Sequence, residues 1–258
     1  MKRALIVLVA VVMLLAGCTA PTAAPTPTAA ADGLSGTVNV FAAASLTETF
    51  GTLVKEFEAV HPRVTVTVNF GGSSALATQI VQGAPADVFA AASGSTMKTV
   101  TDATLVSGTP TTFVTNSLEI AVPAGNPGKV TGLTDFGNSS LSIALCAVEV
   151  PCGTAAKTVL DRAGVAASVD TYEQDVKSVL TKIELGEVDA GLVYKTDVLA
   201  AGAKVTGIDF PEASAAVGKY PIALLSASTN KDAAQAFIDY VLSPTGRKVL
   251  TDAGFGTP

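Results

Sequence analysis

From Thr37 the chain alternates between two kinds of apolar pattern. Thr37 to Ala42 (TVNVFA) and Val64 to Phe70 (VTVTVNF) put apolar side chains at every second position, the period of a half-buried strand. Val88 to Ala91, Leu118 to Val122, Ser142 to Leu145 and Ala190 to Val193 are short apolar runs that predict further strands. Between them the interval changes. Leu46, Phe50, Leu53, Val54 and Phe57 recur at helical spacing, as do Val176, Val179, Leu180 and Ile183, and later Ala233, Phe237, Ile238 and Val241. Ser74 to Gln82 reads as a short helix. This alternation predicts an α/β fold with largely parallel sheets and crossover helices. In such sheets ligands sit beyond the carboxyl ends of the strands, where helices begin.

Ahead of Thr37 the pattern is different. Lys2 and Arg3 open the chain, and Ala4 to Leu15 is an apolar run too short to cross a bilayer as a helix but suited to a signal-peptide core. It ends in Leu15-Ala16-Gly17-Cys18, which resembles the lipobox of bacterial lipoproteins. That resemblance implies a signal peptide at 1–17, cleavage before Cys18 and acylation of its thiol; an ordinary secreted signal with a chance cysteine is the alternative. Thr19 to Gly33 is rich in Ala, Pro and Thr, lacks periodicity and has almost no large apolar residue. It cannot bury a core, so 18–35 is expected to be a lipidated cysteine and flexible tether. The folded part is then exported, where disulfides are permitted.

Composition narrows the function. With 258 residues the chain suits one large domain or two ordinary ones. Sixteen Lys and Arg against 22 Asp and Glu give a net charge of −6, which opposes nucleic-acid binding. Trp is absent and aromatics make up 5%, so a platform for stacking bases or sugars is not expected. A catalytic triad has only His61 to draw on, and His61 before Pro62 is expected in an exposed loop. Cys146 and Cys152 lie six positions apart. Export makes a disulfide between them plausible, two buried thiols being the alternative; the spacing is not that of a redox-active Cys-x-x-Cys pair.

Small residues at expected helix starts carry the chemistry. Ser45 with Glu48 three residues on has the form of a capping box. Gly71-Gly72-Ser73-Ser74 follows the second strand. Val150-Pro151-Cys152-Gly153 puts a proline in a first helical turn, and Gln174-Asp175-Val176 opens a fourth helix. A helix start has free N–H groups and about half a positive charge. Several such starts aimed at one cleft would bind an anion without Lys or Arg, but spacing alone does not establish that they converge.

Phe41-Ala42-Ala43-Ala44-Ser45-Leu46, Gly83-Ala84-Pro85-Ala86-Asp87-Val88-Phe89, Val150-Pro151-Cys152-Gly153 and Gly191-Leu192-Val193-Tyr194 together resemble the periplasmic molybdate-binding proteins of ABC importers. The stretches Tyr220-Pro221-Ile222-Ala223, Phe237-Ile238-Asp239-Tyr240 and Gly254-Phe255-Gly256 extend the likeness from about Thr37 to Gly256. The resemblance implies a two-lobed type II periplasmic-binding fold with mixed, mainly parallel sheets and flanking helices. Lobe one is placed at 36–115 plus 222–258 and lobe two at 116–221. It also implies a tetrahedral dianion, molybdate or tungstate, held by Ser45, Ser73, the backbone amides of Cys152 and Val176, and the Tyr194 hydroxyl. Ser74 stands next to the second of these. Cys152 occupies a place where the family often has Ala; a bridge to Cys146 would stiffen the loop presenting its amide.

The expected protein is therefore a monomeric binding lipoprotein on the outer face of the cell membrane. It has no cofactor, no cationic metal and no catalysis, and it delivers its ligand to an importer's permease and ATPase. A sulfate or other tetrahedral-oxyanion receptor is the alternative, since pocket size is not legible. A hydrolase using Ser45 or Ser73 is disfavoured because there is no G-x-S-x-G elbow. A ferric receptor is disfavoured because Tyr172, Tyr194, Tyr220 and Tyr240 include no adjacent pair. Asp87 is expected to be a structural cap rather than a metal ligand.

Overall fold

In the computed structural model, which describes residues 33–258, the period-two runs pair as strands and the helical runs cover them. The signal peptide, the lipidation site at Cys18 and the tether as far as residue 32 lie outside the described residues. The strands are β1 (Gly36–Ala43), β2 (Val64–Gly71), β3 (Val88–Ala90), β4 (Val106–Asn116), β5 (Leu118–Pro123), β6 (Ile143–Cys146), β7 (Thr171–Glu173), β8 (Ala190–Tyr194), β9 (Val205–Ile208) and β10 (Gly218–Leu225). The helices are α1 (Thr47–Val60), α2 (Ser73–Val81), α3 (Gly94–Asp102), α4 (Pro151–Ala163), α5 (Val176–Glu184), α6 (Lys195–Ala201), α7 (Lys231–Leu242) and α8 (Pro244–Asp252).

Two five-stranded sheets result, ordered β2-β1-β3-β10-β4 and β7-β6-β8-β5-β9. They share one plan. In the first, β1 runs parallel to β2 and β3 while β10 is antiparallel to β3 and β4. In the second, β6 runs parallel to β7 and β8 while β5 is antiparallel to β8 and β9. Only Ser117 separates β4 from β5, and Val217 links the turn Pro211–Ala216 back to β10. The chain therefore passes between the sheets through very short connections.

Each sheet has its own core. Val38, Val40 and Ala42 alternate inward from β1 and meet Phe50, Leu53 and Phe57 of α1 and Phe237 of α7. Phe237 stands edge-on to Phe57 at 5.3 Å and to Phe50 at 6.0 Å between ring centroids. Such pairs add about 0.5–1.5 kcal/mol each beyond the area they bury. In the second core Val179, Leu180 and Ile183 of α5 pack with Ile143, Leu145, Leu192 and Val159. The helical spacing of α5 thus marks the face that is buried.

Candidate functional site

The carboxyl ends of β1, β2, β6, β7 and β8, and the helix starts beyond them, meet at one cavity between the two sheets. It is lined by Ala43, Ala44 and Ser45 after β1, Gly71, Gly72 and Ser73 after β2, Val150, Pro151 and Cys152 at the start of α4, Asp175 and Val176 at the start of α5, and Tyr194 at the end of β8, with Ala92. Its volume is about 20 Å3, whereas sites for drug-sized ligands measure about 300–1,000 Å3. All five residues expected to hold an anion, Ser45, Ser73, Cys152, Val176 and Tyr194, line this one small space.

The capping box expected at Ser45 and Glu48 does not form. A 3-10 turn, Ala44–Leu46, intervenes between β1 and α1, so the helix begins at Thr47 and Leu46 takes the N-cap position without a side-chain bond. Ser45 has a buried partner instead: its Oγ lies 2.9 Å from the Tyr220 hydroxyl. Ser73 is the first residue of α2, and its Oγ accepts the Ala92 N–H at 2.9 Å, leaving its own proton to donate. Ser74 turns away and donates to the Glu149 carbonyl at 2.7 Å, a contact from the first sheet's side to the second's.

Pro151 occupies the first turn of α4, and Cys152 beside it is bonded to Cys146, with Cα atoms 5.7 Å apart. The first amides of a helix lack intrahelical acceptors, so the Cys152 and Val176 N–H groups remain available. Asp175 also lines the cavity, but its carboxylate caps its own helix: Oδ1 accepts the Ser178 N–H at 3.0 Å and Oδ2 the Ser178 hydroxyl at 3.1 Å. Tyr194 is buried, with its ring edge-on to that of Tyr220 at 6.0 Å. Burial pushes both phenols above their ordinary range, so both stay protonated donors at neutral pH.

No Lys or Arg lines the cavity. The nearest cation in sequence, Lys177 on α5, is committed elsewhere. Its Nζ lies 2.9 Å from Glu48 on α1 and 3.0 Å from Asp197 Oδ1 on α6. Asp197 is fully buried, and its Oδ2 accepts the Tyr194 N–H at 3.1 Å. Burial raises the Asp197 carboxyl, against the pull of Lys177. Burial also works against the Lys177 ammonium, but Asp197 and Glu48 outweigh it and hold it above 10.5.

Sequence reasoning missed Tyr220, Lys177 and Asp197 as neighbours of the site. The last left a signal: an acidic residue three positions after Tyr194, at the start of α6. Two further expectations need correction. Asp87 caps no helix; it is buried, accepting the Asn39 N–H at 2.7 Å and the Ser228 hydroxyl at 2.6 Å, and so ties β1 to the segment after β10. His61 is half-buried at the end of α1, its ring 4.4 Å from that of Phe57, because the helix carries it back over its own apolar face. Among the described residues no group of three or more His, Cys, Asp or Glu is placed to hold a metal ion.

Residues 38–256 match the family described as bacterial extracellular solute-binding protein. The chain is 40% identical over 249 residues to the molybdate-binding protein ModA of Mycobacterium tuberculosis, covering 95% of each. It is 34% identical over 227 residues to the putative ABC transporter substrate-binding lipoprotein YvgL of Bacillus subtilis, covering 85% of this chain and 86% of that one. Two solved structures share the fold at lower identity. The periplasmic molybdate-binding protein of Azotobacter vinelandii has a TM-score of 0.75 at 20% identity, over 86% of this chain and 99% of its own. The sulfate-binding protein SubI of Mycobacterium tuberculosis has a TM-score of 0.74 at 17% identity, over 85% and 86%. The architecture is the two-lobed type II periplasmic-binding fold. A match of this extent, on a chain whose two sheets close over one small cavity, makes it a member of the bacterial extracellular solute-binding protein family.

Proposed function

We propose that this protein is the substrate-binding receptor of an importer for molybdate and tungstate. On this reading Ser45, Ser73 and Tyr194 donate hydroxyl hydrogen bonds and Cys152 and Val176 donate backbone N–H groups to one tetrahedral dianion. The observation that carries it is the cavity itself: it is small, its polar lining consists mainly of hydroxyls and helix-start amides, and it has no basic side chain. Hydrogen bonds to a charged group contribute about 1.5–3 kcal/mol each. Micromolar to nanomolar affinity requires about 8–12 kcal/mol, so a set of five or more neutral donors suffices after the cost of closing.

With the one lining carboxylate, Asp175, turned to cap its own helix, the cavity offers mainly donors and disfavours phosphate, which keeps a proton near neutral pH and would leave it unpaired at about 1–3 kcal/mol. It does not by itself separate molybdate from sulfate, and the fold houses a sulfate-binding protein as well. A sulfate receptor is therefore the second reading. The preference for molybdate is supported by the relatives' names. Titration calorimetry decides between them: molybdate and tungstate are expected to bind tightly, with sulfate weak. Equal affinity for sulfate overturns the choice.

The cavity is a binding site rather than an active site on this reading. His61 follows α1 while Ser45 precedes it, and the 14-residue helix spans about 21 Å, so His61 is no general base for that hydroxyl. The expected lobes, 36–115 plus 222–258 and 116–221, need their second boundary moved to Val217, because β10 from Gly218 onward pairs with β3 and β4 in the first sheet; closure then bends the connections at Ser117 and Val217. The mature protein is taken to be a monomer, anchored through lipid on Cys18 to the outer face of the membrane and handing its cargo to a permease driven by an ATPase.

A further inference from the structure

Two carbonyls on the second sheet's side face the Gly71–Ser74 turn across the cleft. The hydroxyl of Ser74, half-buried in the first turn of α2, donates to the Glu149 carbonyl at 2.7 Å. A carbonyl oxygen only accepts, so the direction of this bond is fixed. The Gly72 backbone lies so near the Gln174 carbonyl that no Cβ fits between them. Both contacts adjoin groups assigned to the ligand: Ser74 follows Ser73, Glu149 stands three positions before Cys152, and Gln174 two before Val176. The preceding carbonyl of the same loop is satisfied from its own side, since Val148 receives the Thr154 hydroxyl of α4 at 2.8 Å. Glu149 receives its hydroxyl from the opposite side. The two sides are joined only through the short connections at Ser117 and Val217, so a rotation there that opens the cavity draws Ser74 off Glu149.

We propose that Ser74 is a positioning residue that latches the occupied cleft: its bond to Glu149 forms only once the two sheets have closed, and it holds the Ser73 hydroxyl and the Cys152 amide on the same anion. Ser74 does not line the cavity, so it acts without touching the ligand. A bond that is missing while the cleft stands open has no part in capture; it slows release. Both partners are uncharged, so ionic strength leaves the hold unaltered. The inference rests on the oxyanion-receptor reading above.

The test is Ser74→Ala, with Ser74→Thr as the variant that keeps the hydroxyl. Association and release of molybdate are followed by stopped-flow tyrosine fluorescence, Tyr194 at the cavity being the reporter, and the ligand-free proteins are compared by thermal melting. Ser74→Ala is expected to release molybdate about three- to tenfold faster, the scale of one neutral hydrogen bond, with its association rate and ligand-free Tm unchanged. Ser74→Thr should release at the wild-type rate. A release rate in Ser74→Ala within about twofold of wild type, inside the range of that bond's smallest effect, overturns the proposal. So does a fall in the association rate or in the ligand-free Tm, because a bond already present in the open protein is a structural contact and no latch. Equal acceleration in Ser74→Ala and Ser74→Thr overturns it as well, since the hydroxyl is then not the cause. A wild-type protein that binds neither molybdate nor sulfate defeats the function reading, a result seen before any variant is compared.

Discussion

Replacing Lys177 by Met removes the cation that faces the fully buried Asp197 carboxylate. Asp197 Oδ1 has no hydrogen-bond partner of its own and relies on the ammonium 3.0 Å away. Removing one member of a buried pair costs about 3–5 kcal/mol, and the partial exposure of Lys177, 22% of its side chain, favours the lower end. For a protein of this size about 3 kcal/mol lowers Tm by roughly 6–12 °C. Glu48 is 53% exposed, so Glu48→Gln should cost only about 0.2–1 kcal/mol.

The pH dependence gives the sign. Without Lys177 the folded pKa of Asp197 rises further above 3.8, so the folded state binds a proton that the unfolded chain has released. A raised carboxyl costs stability as pH climbs from the unfolded pKa toward the folded one. The deficit of Lys177→Met should therefore shrink as pH is lowered from 7 to 5. Adding Asp197→Asn should restore part of the loss at pH 7, because no buried charge is then left. Urea melts of the ligand-free protein at pH 5, 6 and 7 measure each quantity. A deficit under 1 kcal/mol, or one that does not change with pH, refutes the idea that Asp197 is held ionised by Lys177.

Gly72 has φ −61° and ψ 126°, which alanine adopts freely, yet a Cβ there would collide with the Gln174 carbonyl of the other lobe; Gly72→Ala should cut ligand affinity at least tenfold in calorimetry while leaving the ligand-free Tm nearly unchanged. Cys146→Ser with Cys152→Ser opens a loop of six-residue separation and should cost about 2 kcal/mol in denaturant melts, with a faster ligand off-rate in stopped flow because the Cys152 amide loses its restraint. Since burial keeps the Tyr194 and Tyr220 phenols neutral above their ordinary pKa of 10.0, affinity should be flat from about pH 6 to 9. Stability should fall above pH 10.0, where the unfolded chain ionises its tyrosines and the folded one does not.

The elements near the site were legible because their signals are local. The alternation in VTVTVNF and the helical spacing of Val176, Val179, Leu180 and Ile183 depend on neighbours within a few positions. Asp175 caps α5 within its own turn. The Ser45–Glu48 pattern misled for the opposite reason. Ser45 bonds Tyr220 across 175 positions and Glu48 bonds Lys177 across 129, so both residues have partners far along the chain in place of a local cap worth about 1 kcal/mol. That four turns meet at one point follows from the order of the strands, which no single segment encodes.

On the proposed reading the grip comes from dipoles, and capture of the guest sheds no counter-ions. The molecule as a whole is acidic, with a net charge of −6, so an approaching dianion is repelled at long range and the repulsion fades with salt. Rising ionic strength should thus speed arrival while leaving residence time untouched, so that uptake works at least as well in brackish surroundings as in fresh water.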